Sequence, residues 1–217
     1  MKYKLICFDL DGTLIDGTDY IWNTIHDNLK TDGLARDKAR QDFFDGKISY
    51  QEWFEHDLKL WKQNAFTKND LLNAIKGIYL HTGALETLHE LKKRGFKIAI
   101  ISGSIDLVLR KVFGDYERLF DYIFLNRVFF DDKGLITHGE HTPFDMEHKA
   151  TGMRMIAQTE NLPLSECVFV GDNENDVHIA EVAGFSIAFN CKSEKLAKIA
   201  DVVVDGKDLR DILKFVD

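Results

Sequence analysis

Six short apolar runs, each bounded by polar or turn residues, constrain the fold of this 217-residue chain more than any other feature. Runs of this length without polar alternation predict strands that are buried on both faces of a parallel sheet. From residue 80 onward they alternate with amphipathic helical patterns, and this predicts an α/β fold with a doubly wound, Rossmann-like parallel sheet. The runs are KLICFD (4–9), FKIAIIS (96–102), YIFLN (122–126), CVFVGD (167–172), FSIAF (185–189) and DVVV (201–204).

Residues 15–79 interrupt this alternation, because they contain helical patterns and no strong strand run. A segment this long exceeds an ordinary crossover between neighbouring strands. We therefore predict a helical cap domain at 15–79, inserted into a core formed by 1–14 and 80–217. RVFFDDKGLITHG (127–139) predicts a small β-hairpin. The helical candidates of the cap are 19–30, 35–45, 49–62 and 67–77.

Composition excludes several classes of function. The net charge of −8 argues against a nucleic-acid partner, and no apolar stretch approaches the ~20 residues that span a membrane. A cytoplasmic location is expected, since the short apolar stretch at the N-terminus meets Asp9 at once. The cysteines and the histidines near the hairpin lack metal-ligand spacing, so the former are expected as buried apolar residues in a reducing compartment and the latter at the surface. These residues are Cys7, Cys167 and Cys191, and His138, His141 and His148.

Polar residues stop three of the apolar runs, at Asp9, Ser102 and Asp172. Taken singly, each is typical of a turn or helix cap. The carboxyl ends of parallel strands meet in one crevice, however, where ligands bind. Asp9 and Asp11 then form one acidic pair and Asp172 and Asp176 another, and such a cluster is stable only with a cation. Hard oxygen ligands without nearby histidine or cysteine favour Mg²⁺.

Two further features suit a phosphate group. Ser102-Gly103-Ser104 follows a strand and is expected to open the helix IDLVLRKVF, where a hydroxyl and backbone amides can bind an anion. A plain N-cap is the alternative. Lys149, at the start of the next helical pattern, is placed to supply the positive charge that one Mg²⁺ leaves unbalanced.

Four ordered motifs resemble those of haloacid dehalogenase-type phosphatases, and the resemblance covers essentially the whole chain. They are DLDGT (9–13), Ser102 after IAII, Lys149, and GDNEND (171–176) after CVFV. Within that superfamily the chain is similar to the phosphoserine phosphatase-like group, in the inserted segment with DGKISYQEW, the GALETLHELKKRGFKIAIISGS block, the hairpin and the C-terminal DLRDIL.

The resemblance implies a magnesium-dependent phosphomonoester hydrolase for a small phosphorylated metabolite, as a monomer or small homo-oligomer. Asp9 is then the nucleophile that forms an aspartyl-phosphate, and Asp11 the general acid and base. Asp9, the Asp11 backbone carbonyl and Asp172 hold Mg²⁺. Alternatives are a phosphotransferase or mutase using the same intermediate and a non-catalytic phosphate-binding protein. The implied phosphate-binding residues are Ser102, Gly103, Lys149 and Asn175, and the supporting residues are Asp176 and Thr13.

The substrate-selecting part of the insertion departs from the phosphoserine phosphatase pattern. The position of a glutamate falls on Thr18, beside Asp19, and that of an arginine falls on Asp57, beside His56. A substrate carboxylate is repelled by an aspartate, so we predict weak or no preference for phosphoserine. An acidic cap instead suits a sugar, polyol or amino-alcohol phosphate. The alternatives are that Lys59 or Lys62 substitutes for the arginine in a shifted register, or that these charges simply face solvent.

Aromatic residues are concentrated in the same insertion. At helical spacing they are expected to form the core of the cap, and one of them to line the substrate pocket. They are Trp22, Trp53, Trp61, Phe43, Phe44 and Phe54.

Overall fold

A central sheet of seven strands dominates the computed structural model, which describes residues 2–115 and 118–216. The strand order is β6-β5-β4-β1-β7-β8-β9, and all neighbours are parallel except β5 and β6. The predicted doubly wound α/β fold and its hairpin are confirmed. The strands are β1 (Leu5–Phe8), β2 (Ile15–Asp16), β3 (Tyr79–Leu80), β4 (Lys97–Ile105), β5 (Tyr122–Phe130), β6 (Ile136–Glu140), β7 (Cys167–Gly171), β8 (Phe185–Phe189) and β9 (Val202–Val204).

Helices cover both faces of this sheet. They are α1 (Ile21–Leu29), α2 (Gly33–Phe44), α3 (Tyr50–Gln63), α4 (Lys68–Ala74), α5 (Ala84–Lys93), α6 (Asp106–Phe113), α7 (Lys149–Thr159), α8 (Val177–Val182) and α9 (Glu194–Ile199). Alternate residues of β1 enter opposite cores: Ile6 and Phe8 pack on the side of α5 and α6, and Leu5 and Cys7 on the side of α7 to α9. Burial on both faces explains why this strand is an unbroken apolar run.

Strand β1 lies in the middle of the sheet, between β4 and β7. Its four residues are fully buried, so the first polar side chain after it, Asp9, lies where the carboxyl ends of three parallel strands meet. The order of the strands therefore places the ends of β1, β4 and β7 side by side, as a site at this edge requires.

Four helices, α1 to α4, lie between β2 and β3. These two short strands pair antiparallel, with Ile15 opposite Leu80, and so bring together the two ends of the inserted segment. Capping boxes at Ser49 and Thr67 start α3 and α4. The division into a core (1–14 and 80–217) and a cap (15–79) stays a prediction. Residues 1, 116, 117 and 217 of that core lie outside the described residues.

Strand β4 corrects one sequence-based expectation. It continues through Ser102-Gly103-Ser104 to Ile105, and α6 begins only at Asp106. Pairing with β5 explains the extension, since Ile105 still lies opposite Asn126 after a shift in register. The predicted helix N-terminus at residues 102–104 is therefore wrong, and so is the plain N-cap, because no side chain caps α6.

Other expectations concern the surface and the thiols. Across residues 2–115 and 118–216, no helix has both the length and the apolar character that crossing a bilayer requires. All three cysteines carry free thiols, and Cys7 and Cys167 are buried as expected, whereas Cys191 is half-buried. His138 is exposed and stacks on Phe129, but His141 is half-buried against Tyr50 and Phe54 instead of lying free in solvent.

Candidate active site

Asp9 occupies the position directly after β1, and its side chain is buried with only 3% exposure. Its backbone N–H donates to the carbonyl of Val170, which continues the pairing between β1 and β7 for one more residue. Oδ1 of Asp9 accepts a hydrogen bond of 2.7 Å from Lys149 Nζ. The strand end thus presents a buried carboxylate whose charge has a partner.

Lys149 begins α7 and is fully buried, with its ammonium between Asp9 and Asp176. Nζ donates to Oδ1 of each at 2.7 Å. Burial by itself disfavours the charged ammonium, but the carboxylates of Asp176, Asp9 and Asp145 outweigh it and raise the pKa of Lys149 above its ordinary value. Lys149 is therefore a permanent cation at the strand ends.

Asp172, after β7, is the third carboxylate of this cluster. Thr13 Oγ1 donates to its Oδ1 at 3.2 Å. Burial, Asp9 and Asp176 raise the pKa of Asp172 well above its usual range, and a cation at the site reverses this effect because it favours the charged form. A β-carbon at Gly12 would overlap this carboxylate, so only glycine fits there. Its backbone also has a φ of +76°, which glycine adopts without strain.

The donor set fits a divalent cation with hard ligands. Oxygens of Asp9, Asp172 and Asp176 lie within 4.8 Å of one another. Both carboxylate oxygens of Asp176 already accept hydrogen bonds within the protein. Oδ1 accepts from Lys149, and Oδ2 accepts from the backbone N–H groups of Asp172 and Asn173. Asp172 Oδ2, by contrast, is buried and, among the described residues, has only the ammonium of Lys192 beside it, at 3.2 Å. Asp9 and Asp172 are therefore the side chains best able to hold Mg²⁺.

Asp11 has a different environment from Asp9, although the two lie only two positions apart. Its Oδ2 accepts from the backbone N–H of Ile21 at 2.7 Å, and its Oδ1 accepts from Ser104 Oγ at 2.7 Å. Burial, and then the charge of Asp9, raise the pKa of Asp11 to about 7. Asp11 can therefore both donate and accept a proton near neutral pH.

The Ser102-Gly103 segment of β4 lies beside the end of β1 and lines the same cavity as Asp9 and Asp11. The carbonyl of Gly103 accepts hydrogen bonds from Trp22 Nε1 at 2.8 Å and from Asn126 Nδ2 at 2.6 Å. These bonds fix the orientation of the segment, and one of them comes from the inserted helix α1. The carboxylate of Asp145 packs so closely over Gly103 that a β-carbon there would overlap it.

A cavity of about 860 Å³ connects these groups with the inserted helices. Asp9, Asp11, Ser102, Gly103 and Asn175 line it, while Lys149, Asp172, Asp176 and Thr13 lie beneath them, fully buried. The structure therefore brings the sequence-predicted residues of the strand ends together around one cavity. Asn175 Oδ1 is buried without a hydrogen-bond partner, so this oxygen can accept a hydrogen bond from a ligand.

The residues expected to select the substrate are brought together only in part. Asp19 and Asp57 line the cavity, whereas Thr18 and His56 do not. The Thr18 hydroxyl instead pairs with the hydroxyl of Thr24 at 2.7 Å. Asp19 pairs with Lys192, whose Nζ lies 2.5 Å from Asp19 Oδ1 and 3.2 Å from Asp172 Oδ2.

Asp57 is not the free repulsive charge that the sequence suggested. Its side chain is buried, and the guanidinium of Arg36 from α2 lies 3.7 Å from Oδ2. His26 Nε2 lies 3.5 Å from the same oxygen, and His56 Nδ1 lies 3.4 Å from Oδ1. The prediction that Asp57 repels a substrate carboxylate is therefore corrected. Arg36 balances the charge of Asp57, and this arginine comes from α2, whereas α3 contains none. Lys62 does not serve as that cation, since its Nζ donates to the Thr137 carbonyl.

More of the aromatic residues of the insertion line the cavity than the sequence predicted. Trp61 is fully buried and Phe54 nearly so, as residues of a core. Four of the six line the cavity instead of one, and Phe44 is 57% exposed. The four are Trp22, Phe44, Trp53 and Phe54.

Sequence reasoning missed three charged residues of this region: Arg36, Asp145 and Lys192. Arg36 lies on a helix whose apolar pattern is weak, so nothing marked which face meets the cavity. Asp145 is in an irregular segment before α7, and Lys192 in the loop after β8. The position of Lys192 just beyond the end of a predicted strand was the one available signal.

Comparisons with known proteins agree with this geometry. The model of the haloacid dehalogenase-like hydrolase family matches residues 3–184. Phosphoserine phosphatase of Methanocaldococcus jannaschii is 33% identical over 99% of this chain and 98% of its own, and that of Lactococcus lactis is 28% identical over 98% and 95%. A solved complex of phosphoserine phosphatase with bound substrate has a TM-score of 0.77 and 32% identity over the whole of both chains.

A second solved structure contains an analogue of the phospho-aspartyl intermediate of phosphoserine phosphatase. It is 32% identical, with a TM-score of 0.76 over the whole of both chains. The fold, the geometry of the site and the relatives all indicate the same family. This protein belongs to the haloacid dehalogenase-like hydrolase family and is a phosphatase that resembles phosphoserine phosphatases.

Proposed function

We propose that this phosphatase is a magnesium-dependent phosphomonoester hydrolase that acts through an aspartyl-phosphate on Asp9. The observation that carries the proposal is the unequal pair at the end of β1. Asp9 has its charge balanced by Lys149, while Asp11, two positions later, has a pKa of about 7. One carboxylate is thus suited to attack phosphorus, and the other to carry a proton.

Asp9 and Asp172, with the backbone carbonyl of Asp11, would hold Mg²⁺. When bound, the ion supplies positive charge that stabilises the transferring phosphoryl group and the carboxylates around it. Thr13 and the Asp176–Lys149 pair hold these ligands in place, since they hydrogen-bond to Asp172 and Asp9.

Asp9 attacks phosphorus and the leaving alcohol departs with a proton from Asp11. Phosphoryl transfer to Asp9 breaks the ester bond and forms an acyl phosphate. Asp11, now charged, then takes a proton from the water that attacks this acyl phosphate, which releases inorganic phosphate and restores both carboxyl groups. Hydrogen bonds from Ile21 and Ser104 keep the Asp11 side chain oriented through both steps.

The phosphate would be bound by the Ser102 hydroxyl, the Gly103 backbone N–H, the Lys149 ammonium and the Asn175 amide. Their positions on the cavity wall or directly beneath it support this assignment. The substrate is then a small phosphorylated metabolite, as for the phosphoserine phosphatases that the chain resembles. Preference for phosphoserine itself is predicted to be weak, because Thr18 stands at the position of the expected glutamate and the charge of Arg36 is already balanced by Asp57. A cytoplasmic location and a monomeric or small homo-oligomeric state stay predictions.

Hydrolysis of phenyl phosphate with Mg²⁺ tests the proposal. We expect phosphate release by the native protein, at least 100-fold less by Asp9→Asn, and loss of activity with EDTA that Mg²⁺ restores. Trapping with acid should recover a phosphorylated chain from the native protein only. Equal release by native and Asp9→Asn proteins would contradict the assignment of the nucleophile.

A further inference from the structure

The part of the cavity wall that the inserted helices supply contains a buried ion pair, Arg36 and Asp57. Arg36 comes from α2 and Asp57 from α3, and both line the cavity that contains Asp9. The side chain of Arg36 is 12% exposed and that of Asp57 is 4% exposed. A role for this pair in substrate binding rests on the proposed function, because the pair would contact the leaving group of the same phosphate ester.

This ion pair is poorly arranged for stabilising the fold. Arg36 Nε lies 3.7 Å from Asp57 Oδ2, beyond hydrogen-bond distance, and is buried without a hydrogen-bond partner. His26 Nε2 is likewise buried and unpartnered by hydrogen bonds, 3.5 Å from the same oxygen. Buried charges stabilise a protein only when their geometry is good and their hydrogen bonds are satisfied. Arg36, unlike His26, lines the cavity, and its unpartnered Nε is better explained by a ligand that completes its hydrogen bonds.

The Arg36–Asp57 pair itself carries no net charge, although Asp27, Asp37 and Arg40 line the same cavity. Arg36 and Asp57 cancel each other, and burial lowers the pKa of His26, so that the imidazole is neutral at pH 7. At this pair, a substrate carboxylate or ammonium group meets a charge that the neighbouring side chain already balances. A hydroxyl group, which both donates and accepts, can instead accept from the guanidinium and donate to the carboxylate.

Neutral polar side chains and aromatic rings form other parts of the cavity wall. Asn23 Oδ1 accepts from Arg36 Nη2 at 2.5 Å, and the Asn23 side chain lines the cavity. The rings of Trp22 and Tyr50 line the same cavity, and Trp22 Nε1 also donates to the Gly103 carbonyl. Aromatic walls pack against the C–H faces of a ring or chain, and the cavity of about 860 Å³ has room for a sugar or polyol leaving group.

We propose that the Arg36–Asp57 pair is a subsite for hydroxyl groups, and that the substrate is the phosphate ester of a sugar or polyol. Arg36 donates to one hydroxyl of the leaving group and Asp57 accepts from the same or a neighbouring hydroxyl. The aromatic wall contacts the carbon skeleton while the phosphate lies at Asp9.

Kinetics with five esters test the substrate class: D-glucose 6-phosphate, sn-glycerol 3-phosphate, O-phospho-L-serine, O-phosphoethanolamine and phenyl phosphate. We expect kcat/KM for one of the first two to exceed that for phosphoserine and phosphoethanolamine at least tenfold. Phosphoserine or phosphoethanolamine as the best substrate overturns the proposal. Binding of the same esters to Asp9→Asn protein, measured by calorimetry, gives this ranking even without turnover. Failure to hydrolyse phenyl phosphate refutes the proposed function separately.

Charge-removing variants test the residues. In Arg36→Met, the ratio of kcat/KM for the preferred polyol ester to that for phenyl phosphate should fall at least tenfold. Lys38→Met, which removes an exposed cation from the same helix, is the matched control and should keep the ratio. Equal ratios in the two variants overturn the assignment.

A stability measurement separates a ligand site from a structural ion pair. The double variant Arg36→Met/Asp57→Leu replaces the pair with apolar groups, and its urea midpoint should equal or exceed that of the native protein. Its preference for polyol esters should nevertheless be lost. A midpoint well below the native value, with the substrate preference retained, overturns the proposal.

Discussion

The ammonium nitrogen of Lys149 lies 2.7 Å from Oδ1 of Asp9, at the end of the central strand. Lys149→Met leaves Asp9 and Asp176 buried without this cation, and breaking a buried pair in this way costs about 3–5 kcal/mol. We expect a loss of this size in the free energy of unfolding by urea at pH 7 with EDTA, together with a loss of phosphatase activity of at least 100-fold.

Lys195→Met is the control for Lys149→Met. Lys195 pairs with Glu174 at the surface, where both side chains are exposed, and such pairs contribute little. Its removal should leave the urea midpoint close to the native value. Equal destabilisation by the two variants would contradict the role of Lys149 as the buried counter-ion.

The raised pKa of Asp11 predicts a pH dependence that differs between leaving groups. Below about pH 7 Asp11 is protonated and can donate to the leaving oxygen, and above it the acid form is lost. For an alkyl phosphate, whose leaving alkoxide needs a proton, kcat/KM should therefore fall as pH rises through about 7. For 4-nitrophenyl phosphate, whose leaving group departs without one, the fall should be much smaller.

The variant Asp11→Asn checks this assignment. It removes the titrating group, so the fall in kcat/KM for the alkyl ester should disappear while the rate itself drops at least 100-fold. Persistence of the same pH profile in this variant would assign the titration to another group.

We predict that the ammonium of Lys192 competes with Mg²⁺ for the Asp172 carboxylate, because its Nζ lies 3.2 Å from Asp172 Oδ2. Removing this positive charge in Lys192→Met should tighten Mg²⁺ binding about tenfold, or ~1.4 kcal/mol, as measured by calorimetry. Asp19→Asn should have the opposite effect, since Asp19 holds the same ammonium at 2.5 Å and shares its charge. Weaker Mg²⁺ binding in Lys192→Met would show that this lysine supports the site instead of competing with the ion.

The hydrogen bond from Trp22 to the Gly103 carbonyl predicts that the inserted helices position the phosphate-binding segment. Trp22→Phe keeps an aromatic ring and removes the bond, which is worth about 0.5–1.5 kcal/mol. We expect kcat/KM to fall up to tenfold for all phosphate esters alike. Trp53→Phe is the matched control, because the Trp53 indole N–H has no hydrogen-bond partner to lose. A fall restricted to bulky substrates would instead indicate that Trp22 acts through contact with the leaving group.

The positions of Asp9, Ser102 and Asp172 could be read from the sequence for a definite reason. Each ends an apolar run, and parallel strands buried on both faces leave little freedom in where such a run begins and ends. The expectation that the acidic cluster binds a cation followed from the repulsion that buried carboxylates create. The helix expected at Ser102-Gly103-Ser104 failed because pairing with β5 carries β4 on to Ile105, and that pairing is a long-range contact.

Contacts between distant elements decided the rest. Arg36 reaches Asp57 only through the packing of α2 on α3, and Asp145 covers Gly103 only because the chain returns to the sheet before α7. The ends of strands and the order of the motifs can be predicted from the local sequence pattern, since both depend on residues that are neighbours along the chain. The charge at the substrate end of the cavity depends on which side chains from separate helices meet, and only the packed structure brings them within a few ångströms of each other.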